Sequence, residues 1–583
     1  MTRLRFEGPT VGLASIVDAQ RDKLASLLAG IPTGRRLFLL DEQLVTPLNF
    51  LAADFFTQQD VRPLSKDVGE IEKDVNLVAI FYAETAPLLV ELLHGLIPTR
   101  PDVTIHLLVA PYYSLYLDET LEELDLAKGV TTLEVFDYSL VPLDTYLFSL
   151  NVHDSARLLL RGELLPIQRA VSGLLLLTEQ VGSFGRICAR GSRAVAALEQ
   201  YLDQVRASPE AQQSLQKPVA FTHVFIIDRG IDMLTPCLDP WTYEALIADH
   251  LAYRDSILET DGRSLNSVVD PIFGRLRAVH ISDMKQVTDE VIAELRELAS
   301  EQEQVAANRD AVSLQRIRLV MERSQKAKLE YQLIDVHLDI AKRLQMCLSY
   351  GLGHMYSLKR EMLCEDVSGK RLVEAVEGYV LENAPLCDIL RLISIWCITN
   401  TSPTKTVASL LPSLSARYGP AAELAIERLT GLGLLTGGKA LYKDLVAIYD
   451  LLRNGGSGSI SQVFNFIAAP SIALIEKELR AMASEAVAVT THPDGEGYRE
   501  VPRPRVSRRA PEGDWNGSVS KDVQLGTPSD PHNVLLLFLG GVTYAEVASS
   551  LILDQQLGDS TSIVIVGTEV QSGRALIESV MKE

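Results

Sequence analysis

One long span of the chain, from Arg275 to Tyr350, contains neither glycine nor proline. Because these two residues are the main helix breakers, the span predicts long helices. Apolar residues recur within it at steps of three or four, which is the spacing of one helix face. In the first half they are Met284, Val287, Val291, Leu295 and Leu298, and in the second half they are Tyr331, Ile334, Leu338, Ala341 and Leu344.

This span is predicted to form a helical hairpin over about residues 283–347, with its turn in the polar stretch Ser300 to Asp310. Each arm of about 30 residues would extend about 45 Å. Packing of one arm on the other would bury one apolar stripe from each. An arm of that length can still project from a globular body and offer surface to a helix of another protein. We therefore favour a helix-binding role for the hairpin.

Strand and helix patterns alternate in two separated regions. From Leu37 to Phe136, short apolar runs alternate with segments of helical period, which is typical of a parallel sheet wrapped by helices. The apolar run His223 to Asp228 restarts this pattern, and Asn533 to Leu539 and Ser562 to Val566 repeat it near the end of the chain. We infer that these later strands join one sheet.

The predicted fold class is therefore α/β with three domains. An N-terminal α/β domain spans 1–137, and a discontinuous α/β domain combines 138–255 with 485–583. A mainly helical insert, 256–484, carries the hairpin.

Composition narrows the classes of function. The net charge of -21 at pH 7 opposes nucleic-acid binding, which needs a basic surface. No apolar run reaches the roughly 18 to 20 residues that cross a bilayer, and the first ten residues lack the apolar core of a signal peptide. The six cysteines and ten histidines show no metal-ligand spacing, so neither a metal nor another cofactor is predicted. We expect a soluble protein.

A glycine-rich segment is the strongest sign of an enzyme. Gly433 to Lys439 matches the first seven positions of a phosphate-binding P-loop, but Ala440 stands where a hydroxyl must hold magnesium. The preceding residues have helical period, whereas a P-loop follows a strand. The segment is better interpreted as a helix end followed by a turn.

Three further groups of residues could form a binding or catalytic site. Gly540 and Gly541 lie between a predicted strand and a helix, where backbone amides can hold phosphate, but tight turning explains the pair better. Asp228, Arg229 and Asp232 follow a sheet strand without a neighbouring nucleophile, so we interpret them as a structural ion-pair network. A run of arginines could contact anionic lipid or an acidic partner, although a solvated loop is the simpler interpretation. The run consists of Arg499, Arg503, Arg505, Arg508 and Arg509.

The segment Val224 to Ile247 contains, in order, the motifs D-R-x-x-D, L-T-P and T-Y-E-x-L-I. It closely resembles the signature of the SM proteins, the Sec/Munc family of SNARE regulators. Three further segments resemble the vacuolar branch of that family, namely Phe136 to Leu150, Gly173 to Gly191 and Phe538 to Glu546, and a weaker likeness covers Ala384 to Leu435.

The resemblance implies a fold and a function. The fold would be a three-domain arch, in which the helical insert holds SNARE helices in register before they zipper, without enzymatic activity. The vacuolar branch also implies membership of the HOPS and CORVET tethers, with vacuolar protein sorting-associated protein 16 as the direct partner. The expected location is cytoplasmic and peripheral on late endosome, lysosome or vacuole membranes, which the chain would reach only through its partners.

The resemblance also suggests which residues carry these roles. The predicted SNARE contacts on the hairpin are Val287, Val291, Leu295, Leu298, Ile334 and Leu338, and charge placed on Val291 and Leu295 is expected to weaken binding without unfolding the protein. Tyr442 and Leu445 are the predicted tether contacts, because an exposed aromatic beside an apolar residue is a typical interface anchor. Five signature residues are assigned to structure: Asp228, Arg229, Asp232, Pro236 and Tyr243.

Two alternatives stay open at this point. The glycine-rich turns could belong to a nucleotide-dependent α/β enzyme. The chain could also be a purely structural tether subunit that never touches SNAREs.

Overall fold

The computed structural model describes residues 13–56, 59–66, 68–260, 262–267, 270–307, 314–349, 352–453, 458–484, 499–500, 519–525, 532–558 and 561–582.

The strands, in chain order, are β1 (Arg36–Leu40), β2 (Asp60–Pro63), β3 (Asn76–Tyr82), β4 (Thr104–Ala110), β5 (Val130–Val135), β6 (Val141–Pro142), β7 (Leu147–Ser149), β8 (Ser183–Arg190), β9 (Val219–Asp228), β10 (Tyr253–Arg254), β11 (Ile257–Leu258), β12 (Arg263–Ser264), β13 (Arg499–Glu500), β14 (Ser520–Gln524), β15 (His532–Leu539), β16 (Val542–Thr543), β17 (Thr561–Gly567) and β18 (Val570–Gln571).

The helices are α1 (Leu13–Ala29), α2 (Glu42–Phe56), α3 (Ala86–Thr99), α4 (Leu115–Glu123), α5 (Ser155–Leu160), α6 (Leu165–Gln180), α7 (Ser192–Ala207), α8 (Pro209–Ser214), α9 (Tyr243–His250), α10 (Pro271–Leu276), α11 (Met284–Ala307), α12 (Leu314–Ser349), α13 (Leu352–Cys364), α14 (Gly369–Leu381), α15 (Leu386–Thr399), α16 (Thr404–Tyr418), α17 (Pro420–Gly431), α18 (Lys439–Tyr449), α19 (Pro470–Ser484), α20 (Tyr544–Leu557) and α21 (Gly573–Met581).

The first sheet is parallel throughout, with strand order β2-β1-β3-β4-β5. Its central strands β3 and β4 are buried along almost their whole length. Strands covered on both faces need continuous apolar runs, which explains why these segments do not alternate apolar and polar residues.

The second sheet joins distant parts of the chain, in the order β13-β14-β8-β9-β15-β17-β7-β6. Its central strands run parallel, and β15 pairs with β9 through Val534 opposite His223 up to Leu539 opposite Asp228. The pairing predicted between the two separated regions is therefore confirmed. Together the sheets confirm the predicted α/β class, while the three domain boundaries remain a prediction.

The segment between β9 and β14 is mainly helical and includes the hairpin of α11 and α12. These helices have 24 and 36 residues, so the arms are unequal. Residues 300–307 of the predicted turn region are helical, because α11 continues through Ala307, and residues 308–310 lie outside the described residues. In the described part of the chain, no helix is long and apolar enough to cross a membrane, and no cluster of metal-ligating side chains occurs.

Candidate functional site

In the part of the chain that the structure describes, the buried side chains of the hairpin are confined to its inner half. The inner half of α12 contacts α9, α10 and α13, whereas α11 packs chiefly on α12. The buried side chains of the hairpin lie close to its base, for example Val291, Leu295, Ile334 and Leu344. Among the described side chains of 296–307 and 314–333, none is buried. At about 1.5 Å per residue, α12 extends about 54 Å, so much of it is available to another protein.

The six predicted SNARE-contact residues do not share one surface. Val291, Leu295 and Ile334 are 1%, 6% and 3% exposed, and Val287 and Leu298 are partly buried against the same apolar cluster. Leu338 lies on the surface and is 41% exposed. The expectation that charge on Val291 and Leu295 leaves the fold intact is therefore wrong, because these side chains belong to the core.

A different set of apolar side chains faces solvent on α12. Met321, Tyr331, Leu338 and Met346 are all more than two fifths exposed. At 100° per residue they fall within one side of the helix, opposite the buried Ile340 and Leu344. Helical period alone predicted Tyr331 and Leu338 for the same stripe as the buried Ile334 and Leu344. The structure separates them, and it makes the outer side of α12 the candidate binding surface.

The base of the hairpin is held by a chain of buried polar groups. The Tyr243 hydroxyl lies 3.0 Å from Nδ1 of His337 on α12, and Nε2 of His337 lies 3.1 Å from Oδ2 of Asp270. All three side chains are buried. Burial, with the nearby charge of Asp270, raises the pKa of Tyr243 well above its usual value, so the phenol stays neutral. Tyr243 thus connects the signature segment to the hairpin.

Two other signature residues, Arg229 and Asp232, lie in one buried network. Arg229 donates from Nη2 to both carboxylate oxygens of Glu546 in α20, at 2.7 and 2.8 Å. The hydroxyl of Ser471 donates to Glu546 at 2.8 Å, and the amide of Ser471 donates to Asp232 at 3.0 Å. Since Ser471 lies in the first turn of α19, the network connects the end of β9 with α19 and α20.

The remaining signature residues are also satisfied by local partners. Asp228 accepts from the amides of Gly230 and Arg193 at 2.8 and 3.1 Å. The carbonyl of Pro236 accepts from Nε of Arg391 at 3.0 Å. All these contacts are internal, so none of the five signature residues forms part of the candidate surface.

The P-loop-like segment is a helix end and a turn, as predicted. α17 ends at Gly431, the turn includes Gly433 and Gly437 with positive φ, and α18 begins at Lys439. The Lys439 ammonium lies 2.6 Å from Asp366.

The turn at Gly540 and Gly541 offers no free amides for a phosphate. Both residues have positive φ, and both amides donate to Oγ1 of Thr568, at 3.0 and 2.9 Å. A Cβ on Gly540 would lie 2.7 Å from Cβ of Arg229. Tight turning and close packing therefore account for this pair.

Tyr442 and Leu445 are buried, so the expectation of an exposed aromatic anchor is wrong. They are 6% and 7% exposed, and the Tyr442 hydroxyl donates to the Leu363 carbonyl at 2.7 Å. Burial raises the pKa of Tyr442. Both side chains line the floor of a groove of about 370 Å³, whose rim includes the exposed Thr401 and Thr436.

The predicted basic run is described only at its start. Arg499 begins β13, which pairs with β14. Arg503, Arg505, Arg508 and Arg509 lie outside the described residues.

Comparison with known proteins places this geometry in context. A family model described as the Sec1 family matches residues 36–579. The chain is 22% identical over 521 residues to vacuolar protein sorting-associated protein 33A of Rattus norvegicus, covering 83% of this chain and 82% of the relative.

Two solved structures share the fold. The SM protein Vps45 in complex with the Qa SNARE Tlg2 aligns with a TM-score of 0.60 and 16% identity, covering 97% of each chain. The Unc18–syntaxin 1 complex of Monosiga brevicollis aligns with a TM-score of 0.55 and 16% identity, covering 97% of this chain and 99% of that one.

Proposed function

Because the chain belongs to the Sec1 family, we propose that it is a non-enzymatic SNARE-binding subunit of a vesicle tether, which templates SNARE helices before membrane fusion. The observation that carries the proposal is the outer side of α12, where a projecting helix presents solvent-facing apolar side chains. An amphipathic helix of a partner can lie against such a surface and cover it. The Vps45–Tlg2 and Unc18–syntaxin 1 structures support SNAREs as the partner class.

Binding to a mixture of two SNARE proteins tests the proposal. Wild-type protein is expected to bind, and Leu338→Asp is expected to weaken binding because it places charge in the apolar contact. Leu381→Asp is the matched control, since Leu381 is an exposed leucine at the end of α14, and it is expected to bind like wild type. Equal binding by both variants, or none by wild type, would refute the role of this surface.

The tether is proposed to be HOPS or CORVET, acting at late endosome, lysosome or vacuole membranes. The likeness to vacuolar protein sorting-associated protein 33A supports this branch of the family. The proposed direct partner is vacuolar protein sorting-associated protein 16, seated on the rim of the groove above Tyr442 and Leu445. These two side chains would then support the groove from below.

Co-purification with that tether subunit tests the groove. Arginine placed on the rim, in Thr401→Arg combined with Thr436→Arg, is expected to abolish the complex by steric block, because both residues are exposed. Thr131→Arg, on the exposed part of β5, is the control. Retained assembly by the rim variant would rule the groove out.

The nucleotide-dependent alternative has a direct test. A bound ligand raises the melting temperature by mass action. We expect ATP, GTP and NAD to leave the melting temperature unchanged, and a saturable rise with any of them would contradict a purely template role.

A further inference from the structure

The outer side of α12 carries a seven-residue repeat of exposed charges. Lys328, Asp335 and Lys342 are spaced seven apart, and Met321 stands seven residues before the first of them. All four side chains are exposed. Tyr331 and Leu338 follow Lys328 and Asp335 by three residues and are 51% and 41% exposed.

Spacings of seven, with a second position three residues on, are those of the a and d positions of a coiled coil. Tyr331 and Leu338 stand at d, where apolar side chains fill the contact with a second helix. Lys328, Asp335 and Lys342 stand at a, where charged residues weaken an interface but select its partner and register. The opposite side of α12 carries Ile334, Ile340 and Leu344, which are buried in the core of the protein.

The two arms of the hairpin also carry opposite charge. α11 contains six acidic and two basic residues, whereas α12 contains seven basic and four acidic ones. Exposed basic side chains extend towards the tip of α12, including Arg323 and Lys328. In a chain with a net charge of -21, the half of α12 nearer the tip is therefore locally basic, whereas Asp335 and Asp339 are exposed acidic residues nearer the base. Such a surface attracts an acidic partner and repels a basic one.

We propose that this seam, formed by Met321, Lys328, Tyr331, Asp335, Leu338 and Lys342, selects an acidic amphipathic helix whose carboxylates face Lys328 and Lys342. The proposal rests on the proposed function, because it takes the occupant to be a SNARE helix. Beyond that function, it specifies the charge of the bound helix and the register in which this helix aligns with α12. The apolar anchors supply contact area, and the lysine pair at fixed spacing disfavours basic helices and shifted alignments.

Two synthetic helical peptides test the charge preference on the full chain. Both carry leucine at d and glutamine at the a position opposite Asp335, and at the a positions opposite Lys328 and Lys342 they carry either glutamate or lysine. At low salt, wild-type protein is expected to bind the glutamate peptide at least about tenfold more tightly than the lysine peptide, and the preference should shrink as salt screens the charges. The Lys328→Glu, Lys342→Glu double variant is expected to reverse it. The double variant Lys370→Glu, Lys405→Glu makes the same change in net charge at exposed lysines of α14 and α16, and should bind like wild type.

SNARE peptides measured alongside separate the two proposals. If the Lys328→Glu, Lys342→Glu variant binds SNARE peptides as wild type does, the proposed charge preference of the seam is wrong, but the proposed function stands. Absence of binding by every SNARE peptide overturns the proposed function. Equal affinity of wild type for the glutamate and lysine peptides also overturns the seam.

Discussion

Arg229 and Glu546 form a fully buried ion pair between residues 317 positions apart in the sequence. The pair fixes the end of β9 against α20, and Ser471 extends it to α19. The signature segment therefore acts through distant contacts that tie the helical insert to the sheet.

Replacing Arg229 is expected to destabilise the whole protein. Arg229→Ala leaves the Glu546 carboxylate buried without its cation, which typically costs about 3–5 kcal/mol. Urea denaturation followed by circular dichroism measures the loss. Lys66→Ala is the control, because its pair with Glu91 is exposed on both sides and should contribute no more than about 1 kcal/mol. Similar losses in both variants would contradict the account of the buried network.

The hairpin core is expected to respond differently from the hairpin surface. Val291→Asp places a charge at a site that is 1% exposed, so it should lower the free energy of unfolding by about 3 kcal/mol or more. Leu338→Asp, on the exposed side of α12, should change it by less than about 1 kcal/mol. Hydrogen exchange of α11 and α12 checks this, since Val291→Asp should speed exchange in both helices. If the amides of α11 and α12 exchange as slowly in Val291→Asp as in wild type, the buried Val291 side chain is not required for the stability of the hairpin.

The conformation at Gly540 gives a test of steric fit. Gly540 and Gly558 have nearly equal positive φ. A Cβ on Gly540 would meet Arg229 and Leu159 within 3 Å, whereas no atom of the described residues lies within 4 Å of a Cβ built on Gly558. Gly558→Ala should therefore cost about 1 kcal/mol through backbone strain alone. Gly540→Ala should cost clearly more and lower the melting temperature further. Equal melting temperatures would contradict the close approach.

Glu569 predicts a pH dependence of stability. Burial raises the pKa of Glu569 to about 7; the Ser155 amide and Arg254 lower it, and the charges of Asp154 and Asp255 raise it. An unfolded glutamate titrates near pH 4.3. Below that pH, Glu569 is protonated in both the folded and the unfolded state, so it does not lower the free energy of unfolding. As pH rises towards 7, Glu569 loses its proton in the unfolded state but keeps it in the folded state. The free energy of unfolding therefore falls by about 3 kcal/mol over this range.

Glu569→Gln removes this effect and is the variant to measure. Its stability relative to wild type should increase between pH 5 and pH 8, as judged by urea midpoints. A constant difference across that range would show that Glu569 titrates normally.

The sequence predicted the sheets better than it predicted the surfaces. Strands such as β3 and β15 are apolar on both faces, so their burial can be recognised from local residues. Helical period, in contrast, defines a stripe without saying which neighbour covers it. Val291 and Ile334 satisfy the period because they lie in the hairpin core, and the exposed seam of α12 mixes lysine and aspartate with apolar residues, which hides it from a search for apolar periodicity.

The position of Tyr442 could not be predicted for a related reason. Its hydroxyl is satisfied by the carbonyl of Leu363, 79 residues earlier in the chain. Contacts over such separations depend on the assembled fold, whereas the local sequence shows only an aromatic beside an apolar residue.

The rate at which two SNARE helices pair in the presence of the protein tests the central claim most directly. With fluorescent labels on the two SNAREs, wild-type protein and Leu381→Asp are expected to accelerate pairing, while Leu338→Asp is expected to leave the rate close to that of the SNAREs alone. Equal acceleration by Leu338→Asp and wild type, or no acceleration by wild type, would contradict templating by the outer side of α12.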